Sequence, residues 1–244
     1  MIETILLTVS PITTFQQQLR LTNATGFFFE RDERLFLVTC RHVMLDEPAR
    51  HHPDRIEIEL HTNAENLAES VAFSIPLYYE GKSAWRQGED SGGAIDVAVI
   101  EVRRSALPKR SVYYAFTKDH LLSPPAFVGV GTSLLVIGFP LGFLDTLHRT
   151  PVARQAGVAS SFGFRFQGGG YFLTDARTHR GSSGAPVVMR SLEPSKEQGE
   201  LPWVLLGVHS GTFDMGSRDQ QLDEALGLNC AWYADILLAL TDGA

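Results

Sequence analysis

The chain is short of cysteine, of basic charge and of long apolar runs, and each shortage closes off a class of protein. Only 2 cysteines occur in 244 residues. Cys40 and Cys230 lie far apart and form no Cys-x-x-Cys pair, which argues against a disulfide framework and a cysteine-rich zinc site. Both are expected to be free thiols, as suits a reducing compartment. Lys and Arg number 21 against 28 Asp and Glu, a formal net charge of −7. That balance argues against nucleic acid or an anionic membrane as a partner. No stretch approaches the roughly 20 apolar residues of a membrane span. The opening residues, Met1-Ile2-Glu3-Thr4-Ile5-Leu6-Leu7, lack the basic start and sustained apolar run of a signal peptide. The expected location is the cytoplasm.

What the chain does contain is turn formers, 22 Gly and 12 Pro, spread among short apolar runs. Gly26-Phe27-Phe28-Phe29, a charged stretch, and then Leu35-Phe36-Leu37-Val38-Thr39 read as a hairpin. Further strands are expected at residues 55–60, 71–77, 97–102, 134–138, 171–174, 186–189 and 204–209. Residues 117–125 read as a linker, 80–94 and 191–200 as polar loops, and 230–240 as a terminal helix from its apolar spacing. Many short strands with frequent turns predict an all-β protein, a barrel or a sandwich. The linker divides it into residues 1–118 and 119–244.

The chemistry-bearing segment is Thr178-His179-Arg180-Gly181-Ser182-Ser183-Gly184-Ala185-Pro186. Ser183 stands between glycines that let the backbone bend and leave N–H groups free to face a reacting oxygen. A serine hydroxyl needs an adjacent base before it can attack a carbonyl. His42, just past the apolar strand ending at Thr39, is the best-placed imidazole. Asp96 heads Val97-Ala98-Val99-Ile100 and is placed to orient it. The order His42, Asp96, Ser183 differs from the subtilisin and α/β-hydrolase orders, and Ala185 stands where a Gly-x-Ser-x-Gly elbow needs glycine. Each residue alone has a plain structural reading, a strand-end histidine, a capping aspartate and a turn serine; their combination points to nucleophilic catalysis.

On these residues the chain resembles trypsin-like peptidases of the chymotrypsin fold, nearest to the HtrA-like and glutamyl-endopeptidase branches. Thr39 to His42 matches Thr-x-x-His, and Asp96 to Val99 matches Asp-x-Ala-Val. Val136 to Gly142, Gly157 to Ser161 and Thr174-Asp175-Ala176 resemble HtrA-like segments leading to the serine turn. The resemblance implies two six-stranded antiparallel β-barrels followed by a C-terminal helix, with no PDZ-like module after them. The first barrel (1–118) would carry His42 and Asp96, and the second (119–244) Ser183 and the substrate pocket. It implies a serine endopeptidase, with Ser183 as nucleophile, His42 as base, Asp96 as orienting acid and the N–H groups of Gly181 and Ser183 as oxyanion hole.

The resemblance also implies a substrate wall of Thr178, His209, Ser210 and Gly211. A hydroxyl and an imidazole there suit a Glu or Gln side chain, whereas Arg177 at the pocket base argues against a Lys or Arg preference. Ser182 replaces the aspartate that pairs with a freed N-terminus in trypsin-type zymogens, so activation by N-terminal cleavage is not expected. The expected partners are a protein or peptide substrate and a regulatory protein. No cofactor or metal is expected, because His51, His52 and Asp54 lack a spaced third ligand and Gly168-Gly169-Gly170 lacks a P-loop lysine. The second reading is a protease-like binding or signalling module whose hydrolysis is absent or conditional on a partner.

Overall fold

The computed structural model describes residues 2–123, 127–191, 201–213 and 226–243. Sixteen strands occur among the described residues. The first sheet comprises β1 (Val9–Gln16), β2 (Leu19–Arg31), β3 (Arg34–Thr39), β4 (Arg55–His61), β5 (Ser70–Pro76), β8 (Trp85–Asp90), β9 (Gly93–Val102) and the short β10 (Phe116–Thr117). Their order is β5-β4-β1-β2-β3-β9-β8, with β10 parallel to β2. The two-residue strands β6 (Tyr78–Tyr79) and β7 (Lys82–Ser83) form a separate small hairpin. A second, 6-stranded sheet has the order β12-β11-β14-β15-β16-β13. It is built from β11 (Ser133–Gly138), β12 (Val152–Gly157), β13 (Tyr171–Thr174), β14 (Pro186–Arg190), β15 (Trp203–Thr212) and β16 (Asn229–Tyr233).

The expected pair of six-stranded barrels is therefore corrected. The first sheet has 8 strands and stays open, because its outer strands β5 and β8 do not pair with each other. Each has a single buried residue, Ile75 in β5 and Trp85 in β8; β8 is rich in charged and polar residues and carries a register shift between Gln87 and Glu89, and β5 ends in Pro76. A bulged, charged edge such as β8 and a proline-ended edge such as β5 discourage further pairing. In the second sheet the outer strands meet at and just beyond the end of β12, through the Asp175 N–H bond to Gly157 O, the Val158–Thr174 bridge and the Ala159 N–H bond to Leu173 O.

Two other expectations fail for local reasons. Residues 80–94, expected as a loop, contain β8: its alternating burial makes a strand with one wet face and few apolar residues to announce it. Residues 230–240, expected as a helix, divide into strand β16 and a short helix, Ile236–Leu240. Cys230, Ala231 and Trp232 are claimed by pairing with both β13 and β15, which overrides weak helical spacing. Of the loop expected at 191–200, all but Ser191 lies outside the described residues.

The consecutive phenylalanines explain how the sheets meet. Side chains alternate faces along a strand, so Phe28 enters the first sheet's own core, beside Leu37, Met44 and Ile58. Phe27 and Phe29 enter a core that also holds Ile137, Phe139, Val188, Leu205 and Val208 from the second sheet. All three rings are at most 1% exposed, and each large buried side chain stabilises the fold by about 1.5–3 kcal/mol. The terminal helix adds Leu237 and Leu240 to the shared core.

Candidate functional site

His42 lies on α1 (Arg41–Met44), a single turn that begins where β3 ends. Asp96 lies on β9, which pairs with β3 through Thr39 and Ala98, so neighbouring strands bring the two together. The Asp96 carboxylate accepts the His42 backbone N–H at 2.9 Å and meets His42 Nδ1 at 2.7 Å. Burial draws the His42 pKa down, but the Asp96 hydrogen bond and charge more than offset it, leaving the imidazole above its ordinary value. For Asp96, burial pushes upward and is outweighed by His42 and a further hydrogen bond from Ser210, so the carboxyl sits below its ordinary value. The pair favours a carboxylate beside a readily protonated imidazole.

Ser210 reaches Asp96 because β15 is irregular. Along β15 and β16, His209 pairs with Ala231 and Gly211 with Cys230, so Ser210 is the extra residue of a bulge. A bulge re-aims a side chain out of the regular alternation. Here the Ser210 hydroxyl donates to Asp96 at 2.5 Å, and its carbonyl accepts the Ser183 hydroxyl at 2.9 Å.

That arrangement corrects the expected triad. No hydrogen bond joins Ser183 to His42 among the described residues; the Ser183 proton is given to a backbone carbonyl. The side chain grouped with the pair is Cys40, whose thiol lies with the His42 and Asp96 donor atoms inside a 4.8 Å cluster. Cys40 does not take over as nucleophile. It is fully buried, its Sγ–H donates to His209 O at 3.2 Å, and burial and the Asp96 charge raise its pKa well above the ordinary value. A thiol without thiolate character is a poor nucleophile. The same trio is the only group among the described residues with donors close enough to hold a metal ion, yet each member is already hydrogen-bonded as above. Active serine-endopeptidase chemistry, the leading expectation from the sequence, is overturned for the chain in this state.

The serine turn itself is well built. Gly181 and Gly184 have φ of +93° and +86°, which favours glycine at both places. A Cβ on Gly181 would come within 2.5 Å of Phe139 O. Across the sheet interface, the Thr25 hydroxyl donates to Gly181 O at 2.8 Å and accepts the Phe139 N–H at 3.0 Å. The Thr25 N–H donates to Ser183 O at 2.9 Å, and the Leu141 N–H to Arg180 O at 2.5 Å. Ser182 N–H bonds to His179 O and Gly184 N–H to His209 O, whereas the N–H groups of Gly181 and Ser183 find no acceptor among the described residues.

The residues expected from the sequence to form a substrate wall are held by other parts of the fold. Thr178 donates its hydroxyl to Asn229 Oδ1 at 2.8 Å, and Asn229 donates to Ala176 O at 2.6 Å. His209 is 1% exposed, and its Nδ1 is buried without a partner. Burial, helped by the charge of His42, lowers its pKa to about 4, so the ring is neutral near pH 7. Gly211 pairs with Cys230 just beyond the bulge. Sequence reasoning missed Cys40, which reads as one more small apolar residue at a strand end, and Asn229, the partner of Thr178. It also gave Ser210 to the substrate wall without its bond to Asp96; the Ser-Gly step inside a strand is the signal that marks such a bulge.

Both cysteines are free thiols. No helix among the described residues is long and apolar enough to cross a membrane. No curated protein matches the sequence. The fold is similar to the crystal structure of the serine endoprotease from Yersinia pestis, with a TM-score of 0.55 at 14% identity. That similarity covers 97% of this chain and 62% of the endoprotease, so the chain spans less than two thirds of its length. Residues 24–193 match the family described as the trypsin-like peptidase domain. Because that segment runs from β2 through the Ser183 turn to the end of β14 and carries His42, Asp96 and Ser183, the chain belongs to the trypsin-like peptidase domain family.

Proposed function

We propose that the chain is a protease-like recognition module, one that binds a protein segment and whose hydrolytic activity is absent or conditional on a partner. The observation that carries this reading is the Ser183 hydroxyl donating to Ser210 O while His42 is held by Asp96 and not by the serine. Releasing Ser183 costs one neutral hydrogen bond, about 1 kcal/mol. A partner that binds better to the released form supplies that difference through its own affinity.

The free N–H groups of Gly181 and Ser183 supply two donors for a carbonyl oxygen of the bound segment. Thr178, His209, Ser210 and Gly211 are assigned to the wall that receives one of its side chains. A neutral His209 favours a glutamine amide over a glutamate carboxylate, since a buried carboxylate without a compensating charge is costly. The two units, 1–118 and 119–244, are proposed to contribute the His42–Asp96 pair and the serine turn respectively.

A fluorophosphonate probe tests the proposal, because it reacts covalently with an activated serine. The isolated chain is expected to remain unlabelled at Ser183 under conditions in which an active serine peptidase is labelled within minutes. Rapid labelling of the isolated chain, abolished by Ser183→Ala, would refute the module reading.

A further inference from the structure

A cavity lies at the junction of the two sheets and the terminal helix, lined by residues other than those of the serine turn and the His42–Asp96 pair. Its volume is about 450 Å3, within the range of small-ligand sites. Asp90 and Ile95 enter from the first sheet, Tyr233 from the second, Phe162 and Arg165 from the connection between β12 and β13, and Ile236 and Ala239 from the helix. The junction is tight around it: a Cβ on Gly92 would lie 3.0 Å from Gly168 O, and one on Gly170 would lie 2.8 Å from Asp90 Oδ2. On the inner side Ile236 and Ile95 both approach Gly88. The cavity is a built gap between packed elements.

Its chemistry is selective. The apolar surface comes from Ile95, Ile236 and Ala239, with the Phe162 and Tyr233 rings meeting edge to face at 5.1 Å. The Tyr233 hydroxyl donates to Phe162 O at 2.7 Å and holds that wall in place. Three charges border the gap. Arg165 is paired with Asp90 and also bonds Ser91 Oγ, so its charge is answered. The Asp235 carboxylate has no ion-pair partner among the described residues, and it makes no capping bond at the helix start where it stands. The uncompensated charge at the rim is negative, and two aromatic rings belong to the same lining, a combination that suits a cation.

We propose that this cavity is an effector site for an organic ammonium ion on an apolar stem, carried by a lysine side chain of a partner segment or by a free alkylamine. The ammonium group meets Asp235 and the ring faces, and the stem fills the space against Ile95 and Ile236. Ile95 is the residue before Asp96 on β9, so a stem seated there bears on the strand that positions His42. This coupling rests on the partner-conditional reading of the serine site; the binding itself does not.

Calorimetry with hexylammonium chloride, and separately with an acetylated Leu-Lys-Leu amide, tests the site, with hexanol and hexanoate as neutral and anionic controls. Saturable binding of either ammonium probe is expected. Binding should weaken about fivefold in Asp235→Asn, the loss of one partly exposed ion pair, and disappear in Ala239→Trp, which fills the gap. Both variants should keep the wild-type thermal midpoint. Tighter binding of the peptide identifies a partner segment as the source, and tighter binding of the free amine a small metabolite. Absence of saturable binding, equal binding of hexanol, or indifference to both variants overturns the site. The His42 ring proton resonances report the coupling: binding that leaves them unmoved refutes the effector role, whatever the labelling of Ser183 shows.

Discussion

Replacing His209 by leucine should remove a large part of the chain's sensitivity to mild acid. Burial and the nearby charge of His42 lower the His209 pKa from 6.5 to about 4. Between those values the unfolded chain binds a proton that the folded chain refuses. The stabilising contribution of a neutral, buried His209 is therefore fully present above pH 6.5 and is lost as the pH falls toward 4. The whole shift corresponds to about 3 kcal/mol, of which about 2 kcal/mol is lost between pH 7.5 and 5. His209→Leu has no proton to gain, yet the backbone bonds at this position, from its N–H to Ala185 O and from Gly184 N–H to its carbonyl, do not depend on the side chain. Urea denaturation of both proteins across pH 7.5 to 4.5 measures the difference directly, and the other titrating groups largely cancel. At pH 7.5 the variant should match or exceed wild-type stability, because it removes a buried Nδ1 that has no partner. As the pH falls, its advantage should grow by about 2 kcal/mol by pH 5. Parallel pH curves for the two proteins would refute the reasoning, since they would mean that His209 takes up its proton as easily folded as unfolded.

Substitutions at three further positions examine the pair and the serine turn. Asp96→Asn should move the His42 titration midpoint from above its ordinary value to below it, because burial then acts without the carboxylate; an unmoved midpoint in the proton NMR titration would contradict the cause assigned. Thr25→Val should cost about 2 kcal/mol in urea denaturation by orphaning the Phe139 N–H and Gly181 carbonyl, and Thr25→Ser should recover most of it. Gly184→Ala should destabilise by about 4 kcal/mol or prevent folding, since φ is +86° and the added Cβ would fall on Thr25 O and Thr39 Oγ1. A variant that folds with unchanged stability would show that the turn relaxes freely.

What could be read from the sequence was what local pattern controls. The hairpin of β2 and β3 was legible because two apolar runs flank charged residues that cannot be buried, and the register pairs Phe27 with Val38 through Arg31 with Arg34. The positions of His42 and Asp96 were legible for the same reason, each lying at an edge of a strongly apolar strand, and the structure joins them at 2.7 Å. The glycines around Ser183 were legible because a sharp turn needs them, and both have positive φ. Closure of the sheets was not legible, since it depends on whether β5 and β8, far apart in the chain, present compatible edges. Neither the charged residues of β8 nor the short, partly exposed apolar run of β5 gives a local sign of whether the two edges meet.

The orientation of Ser183 belongs to the same class of non-local fact. Its rotamer is decided by what stands opposite, and what stands opposite is a carbonyl displaced by the bulge at Ser210. A regular β15 would alternate Ser210 like its neighbours, so that neither its hydroxyl nor its carbonyl need reach the site. One inserted residue therefore ties Asp96 and Ser183 to a single strand, the carboxylate through the Ser210 side chain and the serine hydroxyl through the Ser210 backbone. A shift of this bulge would act on Asp96 and on Ser183 at once. The sequence shows the residue types such a site requires; the bulge sets whether they are connected, and here it connects Ser183 to Ser210 in place of His42.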